Sequence, residues 1–264
     1  MFSVLMSIYG KERPEYFLEA LQSLENQELR ADEVVLVIDG PIPGGLMDLI
    51  EAFREKLNIR TVVLPENRGL RMALNEGLEA CAHDLVARMD TDDVALPKRF
   101  ARQVSFMIEH PEVVASSALI EEFDDGGVVL GIRFVPADQA GILEFAKMRS
   151  PLSHPAAIYR KSVVQSVGGY PDAFPEDHAL WSLMLAHGFQ MANIQDVLLR
   201  MRANTGFIRR RGKSFFRGQL GVIRFQRKIG FISTREATAA IVVRAFLHLS
   251  PAPIRRWMYR LARK

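Results

Sequence analysis

From Ser3 to Met89 the chain alternates short apolar runs with stretches whose apolar residues recur at helical spacing. No other feature of the sequence limits the fold so much. "SVLMSI" reads as a strand, and 14–28 as a helix with Pro14 tolerated at its start. "DEVVLVIDG" is a second strand, 45–57 a helix and "IRTVVLPEN" a third strand. "GLRMALNEGLEACA" is a helix and "DLVARM" a fourth strand. Strands separated by helices pair in parallel and are covered by those helices, and open sheets of this kind bind ligands beyond their carboxyl ends. Asp39 and Asp90 both fall at such ends, so neighbouring strands would bring them to one rim.

Beyond Arg99 the alternation weakens. A helix is expected at 98–109, strands in "EVVASSALIEEF" and "VVLGIRF" around a "DDGG" turn, and a helix in "DQAGILEFAKM". "SHPAAIYRKSVVQSVGGYPDAFPEDHALWSLMLAHG" supplies a strand, a short helix, a Gly-rich turn and a longer helix from near Glu176. With 264 residues, 48% of them hydrophobic, one sizeable domain with an appendage is expected. A single cysteine, Cys81, excludes an internal disulfide and a Cys-based zinc site; it reads as an inert buried thiol in a protein of a reducing compartment. "MFSVLMSIYG" has no secretory leader pattern, and Arg244 interrupts the best apolar run, so no membrane span is expected.

The net charge of +3 conceals a division: residues 1–196 carry 17 Lys and Arg against 30 Asp and Glu, whereas 197–264 carry 17 against Glu236 alone. A basic tail on an acidic body points to an anionic partner surface.

"ARMDTDDVALPKRF" places Asp90, Asp92 and Asp93 within four residues, and so much negative charge on one turn calls for something positive. Each motif alone has an ordinary structural reading. Aspartates in "DTDD" suit a helix cap, "VIDG" suits an Asp-Gly turn, and the acids of "PEDHALW" suit a helix start. In combination and in this order, with "PENRGLRMALNEGL" between them, the motifs resemble the family 2 inverting glycosyltransferases, which have the GT-A fold. The likeness is strongest to bacterial enzymes of O-antigen and exopolysaccharide synthesis, and it spans about residues 2–212.

The resemblance implies an α/β GT-A catalytic domain over 1–205, with a mostly parallel central sheet flanked by helices, and a basic helical extension over 206–264. It also implies a nucleoside-diphosphate sugar donor (UDP-, GDP- or dTDP-linked) and a divalent Mn²⁺ or Mg²⁺ ion, whose positive charge suits a diphosphate leaving group and hard oxygen ligands. Asp92 would ligate the metal, and Asp90 the metal's waters or the donor ribose. Asp93 would either cap the next helix or help hold the site. Asp39 would accept a hydrogen bond from the base ring, and Ser7 and Tyr9 would line its pocket unless Tyr9 faces the core. Asn67 belongs to the donor-side motif. Arg71 stands where many relatives have a small residue, and would either bind the diphosphate or face solvent. Several members recruit a late His to the metal; here only His248 follows His187, so the ion would rest on Asp92, phosphate oxygens and water.

Inversion requires a base opposite the leaving group, and Asp177 occupies the family's position, with Glu176 as the alternative. Trp181, one turn later, would stack on the acceptor sugar or fill the core. His154 would contact the acceptor or tether its loop. Arg202, Arg209 and Arg210 are candidates for a diphosphate of the donor or of the lipid.

In "PAPIRRWMYRLARK", Ile254, Trp257, Met258 and Leu261 repeat at helical spacing among arginines, and "SFFRGQLGVIRFQRKIGF" is similarly two-sided. Such helices suit an anionic membrane surface bearing a polyprenyl-diphosphate-linked glycan acceptor, or pack on the acidic body. The expected location is cytoplasmic, peripheral on the inner face of the cytoplasmic membrane. Nucleic acid is not an expected partner, since the carboxylate rim repels phosphate backbones. Two other functions fit less of the sequence. A nucleotidyltransferase would want a Gly-rich loop after strand one, where "SIYGKERPEY" has only Gly10, and a silent binding module would tolerate loss of Asp177.

Overall fold

The structure is a computed structural model that describes residues 1–203 and 213–249, with side chains described over 1–203 and 218–245. Strands β1 (Ser3–Ile8), β2 (Glu33–Asp39), β3 (Ile59–Leu64) and β4 (Leu85–Arg88) lie in the order β3-β2-β1-β4, all parallel. Helices α1 (Pro14–Glu25), α2 (Gly44–Phe53) and α3 (Leu70–Ala80) connect them. The two-residue period of β1 sends Phe2, Val4, Met6 and Ile8 into one apolar layer with Phe17 and Leu21 of α1, while Leu5 joins Val35, Val37, Leu74 and Leu78 on the other face.

The second half adds β5 (Val94–Ala95), α4 (Arg99–Glu109), β6 (Val113–Phe123), β7 (Val129–Arg133), α5 (Gln139–Ala146), β8 (Ile158–Arg160), α6 (Lys161–Ser166), α7 (Glu176–Ala186) and β9 (Gln190–Arg202). Among the described residues the sheet has nine strands and continues β4-β8-β6-β9-β5, with β7 paired to β6. Strand β9 runs parallel to β6 along most of both strands, whereas β8, β7 and β5 join antiparallel. The sheet is therefore parallel in its first half and mixed in its second. Neither β9 nor β5 was expected from the sequence: polar residues interrupt "QMANIQDVLLRMR", and two residues are too few to show a period.

Helices α8 (Lys213–Lys228) and α9 (Thr234–Leu249) follow, the second of them unforeseen because its buried Arg244 breaks the apolar run. They form a small core from Ile223, Ile232, Ala237 and Ala240. Both are fastened to the body: buried Gln226 of α8 reaches α5 and α7, and Lys147 pairs with Glu236 of α9 at 2.9 Å. The amphipathic segment 251–264 lies outside the described residues, as do Arg209 and Arg210.

His178 in α7 is fully enclosed, its Nε2 2.6 Å from the Ala146 carbonyl, and burial pulls it down to about 4. A histidine held neutral in the fold but protonated when unfolded supports stability above about pH 6.5, and loses that support as pH falls toward its folded value. Thermal unfolding between pH 7 and 4 should therefore show a loss on the order of 3 kcal/mol from this group. His178→Gln, which keeps a donor for the carbonyl, should make that acid limb shallower; an unchanged limb would assign the loss elsewhere.

Candidate active site

Strand β1 lies beside β4 with Leu5 opposite Arg88, and the Met89 amide donates to the Leu5 carbonyl at 3.1 Å. Continuing that register puts Asp90 level with Ser7, on the rim where β2 ends in Asp39. After Asp90 the chain turns through Asp92 and Asp93 into β5, which pairs with β9 through Val94 opposite Arg200. One oxygen from each of Asp90, Asp92 and Asp93 lies within 4.8 Å of the others.

Like charges at that spacing repel strongly, and the structure offsets the repulsion in two ways. Arg88, only 2% exposed, forms an ion pair through Nη2 with Asp90 Oδ1. Burial opposes its positive charge, but Asp90 beside it prevails, and the guanidinium binds its proton more tightly than usual. The remaining carboxyls are pushed toward the neutral form. Burial first, and then Asp90, raises Asp92 to about 6 and Asp93 well above the ordinary range. Glu12, in the turn after β1, is a fourth acid here: burial, then Asp92 and Asp90, raises it to about 7.

Asp93 does not cap a helix, contrary to one reading of the sequence. Its Oδ1 accepts the Arg202 amide at 3.0 Å, while α4 begins after Lys98 with no side-chain cap. The other oxygen, Oδ2, is buried without a hydrogen-bond partner among the described residues, as are Nε and Nη1 of Arg88. Oxygen donors, surplus negative charge and an orphaned carboxylate oxygen fit a hard divalent cation such as Mg²⁺ or Mn²⁺.

Arg202 corrects another expectation. Its guanidinium lies over Tyr16 at 3.9 Å and over Phe123 at 4.6 Å, pairs with Glu19, and donates through Nε to the Asp92 carbonyl at 3.3 Å. It is committed to holding the acidic turn in place and does not reach for a diphosphate. Asp39 is 3% exposed and accepts the amides of Arg68 at 2.7 Å and Gly69 at 3.0 Å, while Asn67 donates to its carbonyl at 3.2 Å. Gly40, at φ 82°, makes this possible, because a Cβ there would come within 2.6 Å of the Asn67 backbone nitrogen. Tyr9 is 39% exposed and does not face the core. Arg71 pairs at 3.3 Å with the solvent-exposed Asp172, linking α3 to the loop before α7.

That loop delivers Glu176 and Asp177 into the first turn of α7, and Ser150 Oγ contacts Asp177 Oδ2 at 2.7 Å. Burial raises Glu176, with Asp177 next; Asp90 adds to the effect and Arg88 opposes it. Charges on the β4 rim are thus felt at the start of α7, so the two acidic groups lie near one another. Trp181 and His154 are enclosed instead. Trp181 is wholly buried in the core. His154 is 8% exposed, with Nε2 3.0 Å from the Tyr170 hydroxyl, which in turn donates to Tyr159. Burial holds His154 neutral, well below its usual range. Both residues are buried, with their ring centroids 6.2 Å apart.

Sequence reasoning missed Arg88, Glu12 and Ser150. Only Arg88 left a signal, as a charge inside an apolar strand directly before the acidic turn. Replacing it should remove the guanidinium that pairs with Asp90. Arg88→Met is expected to cost on the order of 3 kcal/mol near pH 7.5. Acid groups raised in the fold gain protons as pH falls, so the loss should shrink toward about pH 5.5, and also with Mn²⁺ present. Urea denaturation under these conditions checks it; an equal loss in all of them would contradict this account of the rim.

Comparison with known proteins bears on the family and the fold. The model of "Glycosyl transferase family 2" matches residues 3–168. The amylovoran biosynthesis glycosyltransferase AmsE of Erwinia amylovora is 39% identical over all of both chains. An Escherichia coli UDP-Gal:alpha-D-GlcNAc-diphosphoundecaprenol beta-1,3-galactosyltransferase is 38% identical over 98% of this chain and 95% of its own. Among solved structures, S. aureus TarS 1-349 in complex with UDP-GlcNAc matches at TM-score 0.68 and 20% identity, over 93% of this chain and 72% of that one. The mannosyltransferase PcManGT of Pyrobaculum calidifontis, in complex with GDP-Man and Mn²⁺, matches at 0.65 and 16%, over 99% and 79%. The last two show that the fold is shared.

Proposed function

The chain belongs to glycosyl transferase family 2, and from that premise we propose that it is an inverting, metal-dependent enzyme of cell-surface polysaccharide synthesis. It moves a sugar from a nucleoside-diphosphate sugar to a hydroxyl of a polyprenyl-diphosphate-linked glycan. The observation that carries this reading is the cluster of Asp90, Asp92 and Asp93 on the strand rim, whose charge reaches the acidic first turn of α7 that carries Asp177.

In this reading Ser7 and Tyr9 line the base pocket, and Asp39 accepts from the base ring through a remaining lone pair while it holds the 67–69 loop. Asp92 and Asp90 hold Mn²⁺ or Mg²⁺, with Asp93 buried behind them. When bound, the cation supplies charge that stabilises the departing diphosphate. Asp177 takes the proton of the acceptor hydroxyl as its oxygen bonds to the anomeric carbon and the bond to the diphosphate oxygen breaks. Glu176, the alternative base, is held toward its protonated form by burial and by Asp177.

For docking at the inner face of the cytoplasmic membrane, the support is the basic segment after α9 and the exposed Ile241, Val242 and Val243 on that helix. Among the described residues no helix is long and apolar enough to cross a membrane. The 38% identical galactosyltransferase, named for a diphosphoundecaprenol-linked acceptor, supports the acceptor class.

Two measurements test the reading. With a panel of labelled UDP-, GDP- and dTDP-sugars, Asp177→Asn should lower kcat by about 10²- to 10⁴-fold, roughly 3–5 kcal/mol. In the same assay, chelator or Asp92→Ala should abolish transfer, and turnover indifferent to both would overturn the metal assignment. Flotation with anionic liposomes should weaken on deletion of 251–264, each basic residue adding about 1 kcal/mol; undiminished binding would remove that segment from the docking surface.

A further inference from the structure

The C-terminal helices make their closest polar contacts with the chain on either side of Asp177. Gln226 of α8 is wholly buried, and its Nε2 lies 2.8 Å from the Ala146 carbonyl and 2.8 Å from Ser182 Oγ of α7. Its two amide hydrogens serve these acceptors, since His178 Nε2 is already directed at the Ala146 carbonyl at 2.6 Å. Lys147 bonds Glu236 of α9. Buried Arg244 of α9 donates to the Met148 carbonyl at 2.8 Å and to the Gln219 carbonyl of α8 at 3.0 Å. Three consecutive residues, 146 to 148, are thus each tied to α7, α8 or α9.

Two residues further on, Ser150 Oγ lies 2.7 Å from Asp177 Oδ2 and 3.1 Å from the Leu152 carbonyl. A hydroxyl has one proton to give, and the nearer, anionic acceptor takes it. On the far side of Asp177, Phe174 packs on Gly218 of α8, where a Cβ would come within 2.8 Å of its ring Cε1. The carboxylate therefore lies between two chain segments, one tied to α8 and α9 and the other packed on α8.

We infer that Ser150 is a positioning residue for Asp177, and that Gln226 and Arg244 fix Ser150 by clamping 146–148 to α7, α8 and α9, which makes the C-terminal helices a working part of the catalytic site. The inference rests on the reading of Asp177 as the base. Directional hydrogen bonds to buried carbonyls fix distance and angle more narrowly than apolar packing does, and a base displaced by about 1 Å loses about 100-fold in rate.

The test uses the full-length chain with the labelled nucleotide-sugar panel and direct titration of UDP and GDP in the presence of Mn²⁺. Ser150→Ala should lower kcat about 10- to 100-fold while donor KM and nucleotide affinity stay unchanged, and Ser150→Thr, which restores a hydroxyl, should recover most of the loss. Gln226→Leu, of similar volume, should give the same defect confined to kcat. Combined with Ser150→Ala it should fall short of the product of the two, because both act through one link. If Ser150→Ala turns over normally while Asp177→Asn does not, the positioning role is wrong and the base assignment stands. Transfer surviving in Asp177→Asn would remove the base and this inference together. Should Gln226→Leu fail to fold, as judged by circular dichroism, the Ser150 pair decides alone. A variant of Gln226 that melts earlier but keeps its kcat would reduce the helices to packing.

Discussion

A buried guanidinium at the end of β4 is the interaction on which the site depends. Arg88 is enclosed by the sheet, its carbonyl accepts from Arg99 at 2.6 Å, and its charge faces Asp90 at the start of the acidic turn. A lone buried cation is costly, and so are crowded carboxylates; each removes much of the other's penalty. The balance is incomplete by design of the residues themselves, since one arginine cannot satisfy Asp90, Asp92, Asp93 and Glu12. What remains is a turn whose acidic groups are held partly toward their neutral form.

Around this pair the fold supplies rigidity from unrelated stretches of sequence. Strand β9 brings Arg202 to the acidic turn, where Tyr16 of α1 and Phe123 of β6 hold it from two sides. Asp39 fixes the loop before α3 through two backbone amides. The neutral residues His154, Tyr170, Tyr159 and Trp181 pack together in the core. Residues that resemble substrate-binding groups by type thus serve as structure. Arginine and tryptophan have enough apolar surface to be core residues once their polar atoms are occupied or enclosed.

The C-terminal helices change the picture of the chain as a catalytic body with a loose basic tail. Gln226 and Arg244 are polar residues in a two-sided helix pattern, and such a pattern suits a membrane surface and a protein surface equally well. The inner face of α8 and α9 is engaged by α7 and residues 146–148, and Ile241, Val242 and Val243 of α9 are exposed.

The sequence by itself determined the alternating first half, the rim on which Asp39 and Asp90 would meet, and the family likeness carried by the order of its motifs. Local periodicity and the parallel rule suffice for these, because they depend on neighbours within a few turns of chain. Tertiary structure alone decided which polar side chains face the cleft. Trp181 and His154 turned inward, Arg202 became a clamp, and Glu12 and Ser150 joined the site from segments with no motif of their own. Strand β9 and helix α9 were hidden for the same reason, since the partners that satisfy their polar residues lie far away in sequence. Burial, and with it the raised values of Glu12, Asp92, Asp93 and Glu176, depends on contacts across that distance and has no local signature.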